Sequence, residues 1–270
     1  MTALKLYVGN KNYSSWSMRP WVALKAAGVE FEDEVVRFDF PAGNPAIKAL
    51  SEGGTVPVLE HEGLRLWESL AIVEYVAELF PDKRIWPSDR RQRALARAYC
   101  SEMATGFRPL RNAAPMNLRY PKKKLAIGDD VQTNIRRIEQ IWHVNLENSG
   151  GPFLFGEFSA ADAFFAPVVA RFDSYLLVDH PATLAYMAAV QSHPAVQAWR
   201  QMRPRKPGSY RKTSFDRLNA GAPKLCNIFW AGDWSKLESF CISPANFPER
   251  PAFSSGLAGR WRGFDGIEIG

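Results

Sequence analysis

At the start of the chain, hydrophobic and polar positions alternate between patterns typical of strands and of helices. Residues 4–8 form a short apolar run that predicts a buried strand. Residues 18–27 place apolar side chains on one helical face, and Gly28 follows as a typical helix stop. Residues 31–38 predict a second strand, centred on two valines. This order of elements is that of a β-α-β unit.

The next stretch predicts a hairpin and a further helix. A proline-rich break leaves room for at most a short helix at residues 46–50. Two short strands, at 56–59 and 64–67, flank a turn, and an apolar-periodic helix follows them. Ser69 occupies the position of its N-cap. Together these elements predict an α/β domain of thioredoxin-like arrangement over residues 1–80.

Beyond this domain the pattern becomes helical. Residues 81–87 contain two prolines and predict a linker. A helix capped by Ser88 is expected to run to about residue 112, and residues 129–148 carry a long apolar face. Residues 88–202 therefore predict an all-helical second domain.

One helix of this second domain begins with a specific cap. Ser159 and Asp162 have the spacing of a capping box, with aspartate in place of the usual glutamate. The pattern predicts that the helix covers residues 160–177, and that shorter helices continue to about Trp199.

Residues 203–270 continue neither pattern. They contain 6 prolines and 8 glycines, and no helical or alternating periodicity persists. We predict a poorly ordered tail and hypothesise that a one-base frameshift near codon 202 replaced the original C-terminus with read-through sequence. The alternative is a genuine extra module that uses its tryptophans to bind a partner.

The net charge of +6 is unevenly distributed. From Arg203 onward there are 11 basic and 6 acidic residues, whereas 23 basic and 22 acidic residues precede it. Because the excess belongs to the tail, the two predicted domains lack the charge balance typical of nucleic-acid binding.

Cysteine content and hydropathy indicate a cytoplasmic protein. Cys100, Cys226 and Cys241 have neither a CxxC spacing nor a metal spacing, so we expect no disulfide framework and no metal. No apolar run approaches the ~20 residues of a membrane span. The N-terminus leads directly into the first predicted strand, without a signal sequence. We therefore expect no membrane association.

The strand at residues 56–59 contains a proline, which has no N–H to donate to a β-ladder. A cis Val56-Pro57 bond would explain its presence. That isomer would turn the backbone of Val56 away from the sheet and leave it free for a ligand. The helix start at Ser69 lies one hairpin away, and its N–H groups and partial positive charge suit a carboxylate.

These motifs carry a resemblance to a known family. The run from Gly53 to Ser69, with its "VPVL" and "ES" at this spacing, resembles the second half of a glutathione transferase N-terminal domain. Residues 5–28 resemble the first half, and a weaker resemblance extends to about residue 200. The loop 14–17, "SSWS", is similar to the "SSCS" of zeta-class transferases. The resemblance is to a bacterial, serine-type, cytosolic glutathione transferase, with a thioredoxin-like domain and an all-α domain.

The resemblance implies that a serine hydroxyl holds the glutathione sulfur as a thiolate. A free cysteine thiol has a pKa of about 8.5, so near neutral pH the enzyme needs a donor and a helix N-terminus to stabilise the anion. The family gives this role to the first serine of the loop, Ser14. Ser15 and Tyr13 are alternative donors, and Ser17 and Tyr7 are weaker ones.

The resemblance also implies roles for the residues that bind the rest of glutathione. Val56 would hold the cysteinyl backbone by two main-chain hydrogen bonds, with Pro57 beside it. Ser69 would bind the γ-glutamyl carboxylate and Glu68 the ammonium group. Ser15 is expected to contribute to the same site.

The function implied is the transfer of glutathione thiolate to a small electrophile. Trp16 stands where the zeta class has a cysteine, which counts against its maleylacetoacetate isomerase activity. The alternative is a non-catalytic glutathione-binding or stress-response protein with the same fold. The electrophile pocket is expected between the domains, lined by the helix from Ser88 and the loop around Met116.

Resemblance to this family also implies a homodimer. Four arginines near the start of the long helix would face either the partner or solvent: Arg90, Arg91, Arg93 and Arg97.

Overall fold

The computed structural model of the protein describes residues 3–37 and 44–201. The predicted tail at 203–270, the frameshift hypothesis and the alternative of an extra module all lie outside the described residues. The end of the predicted strand at 31–38 also lies outside them.

The first part of the chain folds around a four-stranded mixed sheet. Its strands are β1 (Lys5–Val8), β2 (Glu32–Val35), β3 (Val58–His61) and β4 (Leu64–Trp67). They lie in the order β2-β1-β3-β4, with β1 parallel to β2 and antiparallel to β3, and β3 antiparallel to β4. The helices are α1 (Ser15–Ala26), α2 (Pro45–Lys48) and α3 (Ser69–Leu79). This arrangement confirms the predicted α/β fold class.

The rest of the described chain is helical, as predicted. It contains α4 (Arg90–Thr105), α5 (Arg108–Ala113), α6 (Asp129–Ser149), α7 (Ala160–Tyr175), α8 (Pro181–Ser192) and α9 (Pro194–Gln201). No helix of the described residues combines the length and the apolar character that crossing a membrane requires.

The structure corrects several predicted helix boundaries. The long helix expected at 88–112 is two helices, because Gly106 and Phe107 leave the helical conformation and Phe107 has a positive φ of 57°. Its N-cap is Asp89, which accepts a hydrogen bond from the backbone N–H of Gln92 at 2.8 Å, and not Ser88. Helix α1 begins at Ser15, three residues earlier than predicted.

Two predicted strands are shorter than expected. Strand β3 begins at Val58, so Pro57 precedes the ladder and no ladder hydrogen bond is lost to it. Strand β2 ends at Val35 and is exposed along its whole length, as suits an edge strand.

Helix α1 joins the two parts of the described chain. It packs against α7 and α9 of the helical part as well as α3, and a single hydrophobic core runs through all of them. Ten consecutive residues of α1, from Ser15 to Leu24, are buried. On its far side, Trp199 of α9 donates from Nε1 to the carbonyl oxygen of Lys11 at 3.0 Å. The loop between β1 and α1 is therefore held by α9 as well as by α1 itself.

The capping box at the start of α7 is confirmed. Asp162 is fully buried, and its carboxylate accepts from the backbone N–H and the hydroxyl of Ser159 at 2.9 and 3.1 Å. It also accepts from the backbone N–H of Leu154 at 3.0 Å and from the Tyr186 hydroxyl at 3.1 Å. Burial raises the pKa of Asp162 to about 6, against the effect of these donors.

We predict that Asp162→Ala destabilises the protein by about 2–4 kcal/mol, because it leaves several buried donors without an acceptor. Asp162→Asn should cost less, since its amide oxygen still accepts. Chemical denaturation measures both, with Glu157→Ala as the control, because Glu157 forms an exposed ion pair with Arg84 worth about 0–1 kcal/mol. Equal losses in Asp162→Ala and Glu157→Ala would contradict the prediction.

The same carboxyl predicts a pH dependence with a definite sign. The pKa of Asp162 in the folded state, about 6, lies above the usual value of 3.8. Between these values the folded state binds more protons than the unfolded state, so the contribution of Asp162 to stability falls as pH rises through this window. The stability difference between wild type and Asp162→Asn should therefore shrink from pH 4 to pH 6 and then level off. A difference that grows over this range would refute the prediction.

Candidate functional site

The serine loop, residues 14–17, forms the start of α1. Ser14 is the N-cap, and its Oγ accepts from the backbone N–H of Ser17 at 3.3 Å. The Ser14 hydroxyl donates to Ser17 Oγ at 2.9 Å, and Ser17 Oγ also accepts from the backbone N–H of Gly9 at 3.0 Å. A hydroxyl can rotate, so when Ser17 supplies the proton of this contact instead, the Ser14 hydroxyl is free to donate outward. Contrary to the prediction, Ser15 and Ser17 lie within the helix.

Ser15 faces the helical part of the protein. It is buried, and its Oγ accepts from Nη2 of Arg171 on α7 at 3.3 Å. Nη1 of the same arginine donates to the carbonyl oxygen of Ala114 at 2.5 Å. Because the Ser15 oxygen accepts from a guanidinium, its own hydroxyl proton is available to a further acceptor.

Helix α3 begins beside the serine loop. The hydroxyl of Ser69, which is buried, donates to the carbonyl oxygen of Trp16 at 2.9 Å. In α1 this carbonyl would normally accept from the backbone N–H of residue 20, but residue 20 is proline and has none. Ser69 thus satisfies a carbonyl that Pro20 leaves open, and ties the start of α3 to the start of α1.

The cap of α3 differs from the prediction. Glu68, not Ser69, is the N-cap, and it makes no side-chain capping bond. Its backbone has φ 71°, an uncommon conformation for a residue other than glycine, whereas its side chain is exposed. Since Ser69 uses its hydroxyl proton on Trp16, it can offer a carboxylate its backbone N–H but not that proton.

The Val56-Pro57 peptide bond is cis, as considered from the sequence, and both residues are buried. Within residues 3–37 and 44–201, the structure contains no hydrogen bond to the backbone of Val56. Just before this bond, Gly53 lies so close to Trp67 that a Cβ atom would come within 2.6 Å of its ring. This close approach holds the turn before Val56 against the end of β4, next to Glu68.

The two tyrosines considered as thiol donors have different environments. Tyr7 is buried in a small second core with Val36, Ile47, Val56 and Val58. Tyr13 is half-buried in the loop before α1, and its backbone N–H donates to the carbonyl oxygen of Asn10 at 3.0 Å. Tyr13 therefore stays an alternative to the serines by position, and Tyr7 packs in a core.

Sequence reasoning missed a group of arginines behind the serine loop. Arg19 of α1 is buried, with its guanidinium carbon 4.2 Å from the Trp16 ring centroid, and Arg111 of α5 lies 4.8 Å from the same centroid. Arg171 completes the group. A charged residue inside an apolar helix pattern was the available signal, since Arg19 stands in Ser-Met-Arg-Pro-Trp and Arg171 in Val-Ala-Arg-Phe.

The surroundings of Met116 differ from those expected of a wall of the electrophile pocket. Met116 is buried in the main core and does not face an open space. A cavity of about 670 Å³ lies within the helical part, lined by residues of α5 and by residues 125–131. Its lining does not include the serine loop. The described residues contain no cluster of His, Cys, Asp or Glu suited to a metal ion.

Comparison with known proteins identifies the class. The family model for the glutathione S-transferase N-terminal domain matches residues 13–79, and that for the glutathione S-transferase C-terminal domain matches residues 90–201. Maleylacetoacetate isomerase of Rattus norvegicus is 29% identical over 206 residues, covering 71% of this chain and 93% of that protein. Glutathione S-transferase F14 of Arabidopsis thaliana is 32% identical over 183 residues, covering 64% of this chain and 68% of that protein.

A solved structure shows the same likeness. A glutathione transferase homolog from Burkholderia gl BGR1, with bound glutathione, has a TM-score of 0.58 and 27% sequence identity, covering 74% of this chain and 96% of that one. The mixed sheet with its helices is a thioredoxin-like domain, and the helices that follow it form a second domain. The chain belongs to the glutathione S-transferase family.

We predict that Ser69→Ala lowers the free energy of unfolding by about 1–3 kcal/mol, because it leaves the buried carbonyl of Trp16 without a donor. In a Pro20→Ala background the loss should be smaller, since residue 20 then supplies the missing N–H. A double-mutant cycle by chemical denaturation measures this coupling. Equal losses in the two backgrounds would show that Pro20 and Ser69 act independently.

Proposed function

We propose that the protein is a serine-type glutathione transferase that transfers glutathione thiolate to a small electrophile. The observation that carries this proposal is the hydrogen bond that ties the start of α3 to the serine-capped start of α1. The cis Val56-Pro57 bond follows the turn that Gly53 packs against the end of β4, just before α3. In this proposal the three features offer polar groups to one ligand.

In this proposal the sulfur of glutathione lies at the N-terminus of α1. The helix dipole and a hydroxyl donor both favour the thiolate over the neutral thiol. Ser14 is the first choice for the donor, because its hydroxyl, which donates to Ser17 Oγ at 2.9 Å, can turn toward a ligand when Ser17 supplies the proton of that contact instead. Ser15 and Tyr13 remain the alternatives, and Ser15 contributes to glutathione binding in either case.

The rest of the peptide would bind along the hairpin. Val56, with Pro57 beside it, would pair its backbone with the cysteinyl unit. The γ-glutamyl carboxylate would accept from the backbone N–H of Ser69 at the uncapped start of α3, and Glu68 would bind the ammonium group. The positive φ of Glu68 fits a residue that a ligand site holds in an uncommon conformation.

The comparisons support this assignment at the level of glutathione chemistry. One matched structure contains bound glutathione, and two matched relatives are named as a transferase and as an isomerase. Isomerase activity should therefore be assayed together with transferase activity, although Trp16 occupies the position of the zeta-class cysteine. The alternative function is a glutathione-binding or stress-response protein without turnover.

A binding measurement combined with a turnover measurement tests the proposal. Calorimetry with glutathione should show binding, and a panel of electrophiles, including maleylacetoacetate, should show conjugation or isomerisation. Binding without turnover across the panel would favour the non-catalytic alternative. Absence of glutathione binding would reject both functions.

We predict that Ser14→Ala lowers turnover by about 10²–10³-fold, because it removes one donor from a developing anion. Glutathione binding should weaken much less, since the peptide ends keep their partners. Steady-state kinetics and calorimetry on the same preparation separate the two effects.

Ser17→Ala is the matched control for this prediction. It removes the hydrogen bond between the two hydroxyl groups and the acceptor of the Gly9 N–H, but keeps the Ser14 hydroxyl. In a variant that thermal unfolding shows to be folded, turnover should therefore stay within a few-fold of wild type. Wild-type turnover in Ser14→Ala would move the role to Ser15, Ser17 or Tyr13, which Ser15→Ala, Ser17→Ala and Tyr13→Phe then distinguish.

We also predict a cytoplasmic homodimer, as in other members of the family. Two of the four arginines considered for the interface have partners within the chain: Arg97 pairs with Glu74 at 2.6 Å, and Arg93 donates to the carbonyl oxygens of Pro87 and Ser88. Arg90 and Arg91 are exposed and are the better candidates. Sedimentation at micromolar concentration should give a species of twice the 30.4 kDa chain mass, and a monomer would contradict the prediction.

A further inference from the structure

Arg19 has an unusual environment for a charged side chain. It is 1% exposed, and its one hydrogen bond is a long one, from Nη2 to the carbonyl oxygen of Met103 at 3.5 Å. Its Nε and Nη1 atoms are buried and have no hydrogen-bond partner among the described residues. Burying a guanidinium with so few partners is costly, so its presence calls for a compensating role.

Aromatic rings take the place of part of its hydration shell. The guanidinium carbon lies 4.2 Å from the Trp16 ring centroid and 5.4 Å from that of Phe164. Cation–π contacts of this kind stabilise a desolvated cation. The two rings stabilise the Arg19 guanidinium without neutralising its charge, so its positive potential acts on neighbouring groups.

The charged and titratable groups that face Arg19 come from every helix packed against it. Burial lowers the pKa of Arg19 well below its usual value, and the cations Arg111 on α5 and Arg171 on α7 lower it further. The Cys100 thiol on α4 and the Glu68 carboxyl before α3 act in the opposite sense. Burial raises the pKa of the Cys100 thiol, so that thiol is neutral near pH 7.

The position of Arg19 directs this positive potential toward the serine loop. Arg19 lies four residues after Ser15, so both are on the same face of α1, and helical side chains lean toward the N-terminus. Arg171 reaches the same point from α7, where its Nη2 donates to Ser15 Oγ at 3.3 Å. Arg171 therefore contacts Ser15 directly, and Arg19 lies one helical turn behind Ser15 on the same face of α1.

We propose that Arg19 is a positioning residue for the thiolate: together with Arg171, it supplies a buried positive potential that favours the anionic form of a thiol at the start of α1. This inference rests on the proposed function, because it requires that glutathione sulfur binds there. The interaction is reciprocal, since a bound thiolate also relieves the cost of burying Arg19. Arg19 acts through space and Arg171 through Ser15, and neither touches the sulfur.

The test is the pH titration of enzyme-bound glutathione, followed by the ultraviolet absorbance of the thiolate. Arg19→Met should raise the pKa of the bound thiol by about one unit, since a cation near an acid favours its charged form. The value of kcat/KM should fall about tenfold at a pH below the thiol pKa, and the loss should diminish as pH rises. Arg19→Lys, which keeps the charge, should restore most of the wild-type profile.

Two further variants complete the design. Arg171→Met should also raise the thiol pKa, and Arg136→Met, which removes an exposed arginine of α6, should leave it unchanged. Thermal unfolding confirms that each variant is folded. Should Arg19→Met not fold, Arg171→Met and Arg19→Lys carry the test.

The outcomes separate this inference from the proposed function. If wild type binds glutathione and turns it over, but the folded arginine variants keep the wild-type thiol pKa, the positioning role is refuted and the proposed function stands. If Arg19→Met lowers kcat/KM equally at every pH, Arg19 is structural and the inference fails. If wild type does not bind glutathione, both proposals fall.

Discussion

The hydrogen bond from the Ser69 hydroxyl to the Trp16 carbonyl is the constraint on which the rest of the site depends. It exists because Pro20 interrupts the backbone ladder of α1 and leaves one buried carbonyl without a helical donor. Satisfying that carbonyl from α3 fixes the distance between two helix N-termini. Any ligand that spans both therefore meets a preformed arrangement of donors, which reduces the entropy lost on binding.

Helix α1 extends this constraint into the interior. Because ten successive residues are buried, its polar side chains must find partners within the protein. Ser17 binds the backbone of Gly9, Ser15 accepts from Arg171, and Arg19 lies over aromatic rings. The serine loop is thus one end of a buried helix, held on one side by the sheet and on the other by α7. Fixed dipoles and charges in such a dry environment act more strongly on a bound anion than they would in water.

The sequence predicted the features that depend on periodicity and on local chemistry. The α/β order, the helical second domain and the capping box at Ser159 follow from spacing that any buried strand or helix must respect. The cis bond at Pro57 was considered only because a proline in a strand has no N–H for the ladder. The break at Gly106 and Phe107 did not follow, because the helical pattern continues through it. The start of α1 was placed late, since three serines within four residues offer three possible caps. Arg19 and Arg171 were missed because their environment depends on the packing of α1 against α7, which local sequence patterns do not predict.

The backbone and the side chain of Trp16 have separate roles in the serine loop. Residue 16 contributes its backbone carbonyl to the contact with Ser69, and this contact does not depend on the side chain. Its ring lies within 4.2 and 4.8 Å of the Arg19 and Arg111 guanidinium carbons, a span that a cysteine side chain is too small to fill. Trp16 therefore packs against both guanidinium groups. Its ring takes the place of water for Arg19, whereas Arg111 also donates to the carbonyl oxygens of Ala104 and Gly106. The backbone contact between the two helix starts is therefore independent of the side chain at residue 16, whereas the packing of the arginines behind the serine loop depends on it.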